Sequence, residues 1–218
     1  MGWLQEDSPI VALDYDGTLG VYHYHFTNFA SEWVGRALPG GYDGGKPFYQ
    51  HLGLSKETYR KCKLAYRRGG LKRSMPAYGG AAELTRIVRL RKARVIICTT
   101  RPFLSLEDIE GDTVHNARRH GIQFDYMISG EKKYHELKKL VDPERIVMVL
   151  EDQDDMLAQA TRLSLPAVRI LRAHNDASIL EVEHEVDSLQ AATELALQRM
   201  AIRRSERYLA SERERKRA

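Results

Sequence analysis

Two carboxylates one residue apart, Asp14 and Asp16, close a short apolar run, Ile10-Val11-Ala12-Leu13, and are followed at once by Gly17, Thr18 and Leu19. Side chains i and i+2 of a strand share a face, so this spacing aims both carboxylates the same way unless the strand has already ended. Two like charges buried side by side are costly, and a cation is the usual remedy. Such a pair suits phosphoryl transfer, in which one carboxylate attacks and the other moves a proton. The same residues also spell an Asp-Gly hairpin turn, a common way to join strands. The rest of the chain decides between the two.

Further polar groups follow apolar runs. Thr99-Thr100-Arg101-Pro102 comes after Arg94-Val95-Ile96-Ile97-Cys98, and Glu151-Asp152-Gln153-Asp154-Asp155 comes after Ile146-Val147-Met148-Val149-Leu150. Continuous apolar runs of this length predict strands buried on both faces. Runs at 10–13, 94–98, 124–128, 145–150 and 167–171 alternate with helical patterns near 113–120, 131–141 and up to Leu163. That alternation predicts an α/β fold with a mainly parallel sheet between two helical layers. Ligands of such sheets bind beyond the carboxyl ends of the strands, where strand order reverses. Asp14, Asp16, Thr99, Glu151 and Asp152 all fall there, whereas a hairpin turn explains only the first two.

Residues 21–76 interrupt the pattern. Tyr22 to Phe26 is aromatic and β-prone, and its rings can stack a base or bury an interface. His23 and His25 read as loop or edge residues rather than a metal pair, because no third ligand lies near them. Asn28 can cap a helix to about Leu38 that buries Phe29, Trp33, Val34 and Leu38. The glycine-rich stretch 40–47 is a linker, since no Gly-Lys-Ser/Thr of a P-loop follows. Ser55 can cap a second helix to Arg68. Its Arg60, Lys61, Lys63, Arg67 and Arg68 form either a solvated face or a basic lid over a phosphorylated substrate. A third helix ends near Arg91.

The composition, 43% hydrophobic and 29% charged, is that of a globular chain large enough to bury a core. No apolar run approaches a membrane span, and no secretory or myristoylation pattern opens the chain. Two cysteines, Cys62 and Cys98, do not suggest a disulfide framework, so a reducing, cytoplasmic setting is expected. Residues 58–82 hold seven basic and no acidic side chains, and residues 201–218 hold seven basic and three acidic. Both stretches suit anionic partners, nucleic acid among them. The segment from Glu185 to Ala218 is helical in period, and Leu189, Leu195, Met200 and Leu209 can dock on the core or on a second copy of the chain.

Asp14-Tyr15-Asp16-Gly17-Thr18-Leu19, with Thr99, the lysines 132 and 133, and Glu151-Asp152, resembles the haloacid dehalogenase-like phosphatases across roughly residues 8–175. The resemblance implies a Rossmann-like three-layer sandwich with a small helical cap inserted after the first strand. Residues 1–20 and 77–175 would form the catalytic core, 21–76 the cap and 176–218 a C-terminal helical extension with a basic tail. It implies Asp14 as nucleophile, Asp16 as proton donor, and Mg2+ held by Asp14, the Asp16 carbonyl and Asp152. Thr99 and either Lys132 or Lys133 would bind the phosphate, with Lys133 preferred by its spacing to Leu137. Arg101 either contacts a substrate phosphate or pairs with Glu107 or Asp108. Glu151 stands where many members carry Asp, and Asp155 has no settled role. Cys98 to Pro102, with Met75 to Gly80, is similar to 5′-nucleotidases, and the placing of Arg101 resembles the phosphatase domain of polynucleotide kinase-phosphatases. The expected activity is therefore a Mg2+-dependent phosphatase acting on nucleotides. The alternatives are a 3′-phosphatase of nucleic-acid ends, a phosphatase of another small metabolite, and a binding protein that keeps only the fold.

Overall fold

The computed structural model describes residues 7–100, 109–176, 178 and 180–215. Six strands, β1 (Ile10–Leu13), β2 (Arg94–Thr99), β3 (Tyr126–Ser129), β4 (Ile146–Glu151), β5 (Ala167–Ile170) and β6 (Glu185–Val186), form one sheet. Their order is β3-β2-β1-β4-β5-β6 and every pairing is parallel. The chain builds outward from β1 to β3, then crosses back to place β4 on the other side of β1. Strand order therefore reverses beside β1, which makes its carboxyl end the natural binding crevice.

The apolar runs are continuous because both faces of the sheet are covered. On one face Val11, Leu13, Val95 and Ile97 pack with α4 (Ala81–Leu90) and the start of α8 (Leu189–Arg215). On the other, Ile10, Ala12, Ile96 and Cys98 meet Tyr134 and Leu137 of α6 (Lys133–Leu140) and Ala160 of α7 (Asp154–Arg162). This is the three-layer arrangement expected from the alternating pattern.

The segment between β1 and β2 holds α1 (Tyr22–Val34), α2 (Phe48–His51), α3 (Lys56–Arg68), a 3₁₀ turn at Leu71–Ser74, and α4. Two expectations fail here. The helix of the first half begins at Tyr22, not Asn28, so the aromatic stretch is its first turn rather than a strand. It buries Tyr22, Phe26, Thr27 and Ala30, while Trp33 is 43% exposed. Helical spacing brings Phe26 within 6 Å of the rings of Phe48, Tyr59 and Tyr66, and that packing outweighs the β preference of aromatic residues. The second helix matches its expected span. Ser55 caps it by accepting a hydrogen bond from the Thr58 amide at 3.1 Å.

At the other end, Glu185–Val186 is a short edge strand and the helix starts only at Leu189. Leu189 and Met200 are buried, but Leu209 is 51% exposed and docks on no described part of the core. No described helix is long and apolar enough to cross a membrane.

One buried side chain ties the inserted helices to the sheet. Asn116, on α5 (Ile109–Arg119), accepts the Tyr15 hydroxyl at 2.7 Å. Its amide donates to the carbonyls of Met75 at 2.7 Å and Arg73 at 3.2 Å. The loop after β1 and the exit of the insertion are thus pinned to one residue. Asn116→Ala removes all three bonds, although His120 and Arg119 still reach the two carbonyls, and is expected to cost about 1–3 kcal/mol in urea denaturation. A loss below about 0.5 kcal/mol would show that the three bonds carry no stability.

Candidate active site

The site begins where β1 runs out. The Asp14 amide still donates to the Leu150 carbonyl of β4 at 2.9 Å, after which the chain closes into a tight turn. The Gly17 amide donates to the Gly20 carbonyl and the Gly20 amide to the Tyr15 carbonyl, both at 2.8 Å. Gly17 sits at φ +96°, and a Cβ there would lie 2.1 Å from Asp152 Oδ2, so no other residue fits without displacing that carboxylate. The strand ends at Leu13, yet Asp14 and Asp16 both line one cavity of about 530 Å³, while Tyr15 is buried between them.

Lys133, the first residue of α6, is fully buried and holds Asp14 Oδ1 at 2.5 Å and Glu151 Oε2 at 2.6 Å. Lys132, one residue earlier, is exposed and does not join the site. Glu151 also accepts the Tyr134 hydroxyl at 2.6 Å and the amides of Asp152 and Gln153 at 3.0 and 3.1 Å. Its longer arm makes it the anchor of Lys133, a role the sequence left open. Burial pushes the Asp14 carboxyl well above its ordinary pKa; Glu151 adds to the rise and Lys133 opposes it. For Lys133 burial opposes the charge, but Asp14 and Glu151 more than restore it, so the ammonium persists.

Asp152 is held from three sides. Thr18 donates to Oδ1 at 2.8 Å, His174 Nε2 lies 2.6 Å from Oδ2, and the Asn175 amide donates to the Asp152 carbonyl at 3.0 Å. Burial, then the Glu151 charge, lifts the Asp152 carboxyl well above its usual range. Burial, and next Arg172, lowers His174 to about 4, so this imidazole is neutral near pH 7. Asp16 faces the insertion, where Lys72 bonds to Oδ1 and Arg67 Nη2 lies 3.3 Å from Oδ2.

Among the buried polar atoms with no hydrogen-bond partner among the described residues are Asp14 Oδ2 and Thr99 Oγ1, at the ends of adjacent strands. Asp14, Glu151 and Asp152 each offer a carboxylate oxygen, all within 4.8 Å of one another. An all-oxygen set of this kind suits Mg2+, which binds through one or two carboxylates and keeps several waters. Glu151 is already saturated by four donors, which leaves Asp14 and Asp152 as the carboxylates able to hold the ion.

Of the expected site residues, Asp14, Asp16, Lys133 and Asp152 come together, and Thr99 stands buried at the end of β2. Arg101 lies outside the described residues. Asp155 lines the cavity. Sequence reasoning missed Tyr134, His174, Asn175 and Lys72. His174 and Asn175 follow β5 just as Glu151 ends β4, so the strand-end rule could have found them.

No family model matches the chain, and no curated protein sequence matches it significantly. Solved structures do. The chain is similar to a haloacid dehalogenase-like hydrolase from Streptococcus pneumoniae, with TM-score 0.61, 14% identity, and 85% of this chain and 97% of that one covered. It is also similar to a hydrolase of the same superfamily from Geobacter sulfurreducens, with TM-score 0.59, 14% identity, and 88% and 98% covered. The chain has the haloacid dehalogenase-like fold. CbbY from Rhodobacter sphaeroides, solved with phosphate, shares this fold at TM-score 0.55 and 18% identity, with 84% and 95% of the two chains covered. Within it, Asp14 occupies the turn after the central strand and the insertion stands over it.

If Asp14 and Asp152 hold the ion, millimolar Mg2+ raises the melting temperature by a few degrees, and Asp152→Asn abolishes the shift. An equal shift in wild type and Asp152→Asn would remove Asp152 as a ligand.

Proposed function

We propose that the chain is a Mg2+-dependent phosphomonoesterase that works through an aspartyl-phosphate on Asp14, with nucleotides as substrates. The observation that carries the reading is the state of Asp14. One of its oxygens is fixed by Lys133, and the other is buried without a partner among the described residues, with the unpartnered Thr99 hydroxyl at the end of the neighbouring strand. A carboxylate held by one edge and bare at the other is placed to attack.

Asp14 Oδ2 attacks phosphorus in line, the ester P–O bond breaks, and the electron pair leaves with the alcohol oxygen. The Asp16 carboxyl delivers a proton to that oxygen, then takes one from the water that cleaves the aspartyl-phosphate, which restores both residues. Lys133 and the Thr99 hydroxyl stabilise charge on the transferring oxygens. Magnesium would lower the repulsion between the nucleophile and an anionic phosphate.

The rings of Tyr22, His23, Tyr42, Phe48 and Tyr59 line the insertion side of the cavity. Such surfaces stack nucleobases, which favours a nucleotide over a sugar phosphate. Contact of Lys72 and Arg67 with Asp16 brings the insertion down onto the site, which suits a small substrate better than a polynucleotide end.

Phosphate release is the direct test, with 5′- and 3′-mononucleotides, sugar phosphates and a 3′-phosphorylated oligonucleotide, each with Mg2+ and with chelator. Asp14→Asn should lower kcat by at least about 10³-fold with the melting curve little changed. Turnover retained in the variant would remove Asp14 as nucleophile. Release from sugar phosphates alone would keep the reaction and discard the nucleotide.

A further inference from the structure

Arg67 is more deeply buried than its known partner requires. It lies near the end of α3, only 6% exposed, and lines the same cavity as Asp14. Nη2 reaches Asp16 Oδ2 at 3.3 Å, but Nε and Nη1 are buried with no hydrogen-bond partner among the described residues. The guanidinium carbon lies 5.7 Å from the ring centres of both Tyr22 and Tyr66, so the planar group is held between aromatic neighbours.

A guanidinium cannot shed its charge, and leaving two of its donors dry is costly. Asp16 does not resolve this, because it also serves Lys72, which is fully buried on its other oxygen. Asp16 reaches only Nη2 of Arg67 and leaves Nε and Nη1 unpaired among the described residues. The phosphoryl group under attack is handled elsewhere, at the Lys133 and Thr99 side of Asp14. Asp16 faces the leaving oxygen, so an anion drawn to Arg67 belongs to the organic part of the substrate.

We propose that Arg67 is a specificity-determining residue that binds a second anionic group, phosphate or carboxylate, on the leaving-group side of the substrate. The inference rests on the phosphomonoesterase reading and narrows its substrate class. Nε–H and Nη1–H donate to oxygens of that group. Planar, charge-assisted pairing of this kind favours a substrate that carries the second anion over one that lacks it.

The test uses the full chain and matched substrates: adenosine 3′,5′-bisphosphate against 5′-AMP and 3′-AMP, and 3-phosphoglycerate against glycerol 3-phosphate. Wild type should show kcat/KM about tenfold or more higher for the doubly anionic member of at least one pair. In Arg67→Met that ratio should fall towards one, whatever happens to absolute activity through Asp16. Equal kcat/KM within both pairs in wild type would overturn the proposal without needing a variant. A preference that survives in folded Arg67→Met would also overturn it, by placing the second anion elsewhere. If Arg67→Met does not fold, Arg67→Lys replaces it, and a ratio unchanged from wild type would count against a paired guanidinium. No release from any substrate would instead sink the phosphomonoesterase reading itself.

Discussion

Everything at the site depends on one buried ammonium. Asp14, Glu151 and Asp152 are three carboxylates buried within reach of one another, and burial pushes the carboxyls of Asp14 and Asp152 well above their ordinary range. Lys133 supplies a fixed positive charge that opposes this rise at Asp14 and pairs with Glu151. Glu151 holds Lys133 in turn, and Tyr134 and two backbone amides hold Glu151. The arrangement follows from the fold. β1 and β4 are neighbours and end together, and α6 starts at Lys133, so three elements distant in sequence deliver their first or last residue to one point.

The insertion completes the site from the opposite side with complementary chemistry. The sheet side carries acids around one lysine. The insertion brings Arg67 and Lys72 to Asp16, framed by aromatic rings. Asn116 holds the insertion's exit against the turn that carries Asp16, so the positions of the insertion and of Asp16 are linked through this amide. A deeply buried cation without its full complement of partners is destabilising in isolation. Its persistence on the wall of a cavity is what a binding role accounts for.

Much of this was legible in the sequence, for a reason. Buried parallel strands read as continuous apolar runs, and in such sheets the functional groups stand at their carboxyl ends, so Asp14, Thr99 and Asp152 could be located by position alone. Lys133 could be narrowed only to a pair, because one residue at a helix start separates a buried ammonium from the exposed Lys132. The cap was harder. Tyr22 to Phe26 is β-prone residue by residue, and only contacts with Phe48, Tyr59 and Tyr66 make it helical. Arg67 and Lys72 lay within a run of basic side chains that reads equally well as a solvated face. Tertiary packing picks out these two and leaves Arg60, Lys61 and Arg68 exposed.

The central claim is that Asp14 forms a covalent bond to phosphorus. The most direct measurement is acid quenching during turnover of a 32P-labelled substrate, followed by peptide mapping. The account predicts an acid-stable, hydroxylamine-sensitive label on the peptide that carries Asp14. Turnover with no protein-bound label under single-turnover conditions, or with label on a different residue, would contradict it.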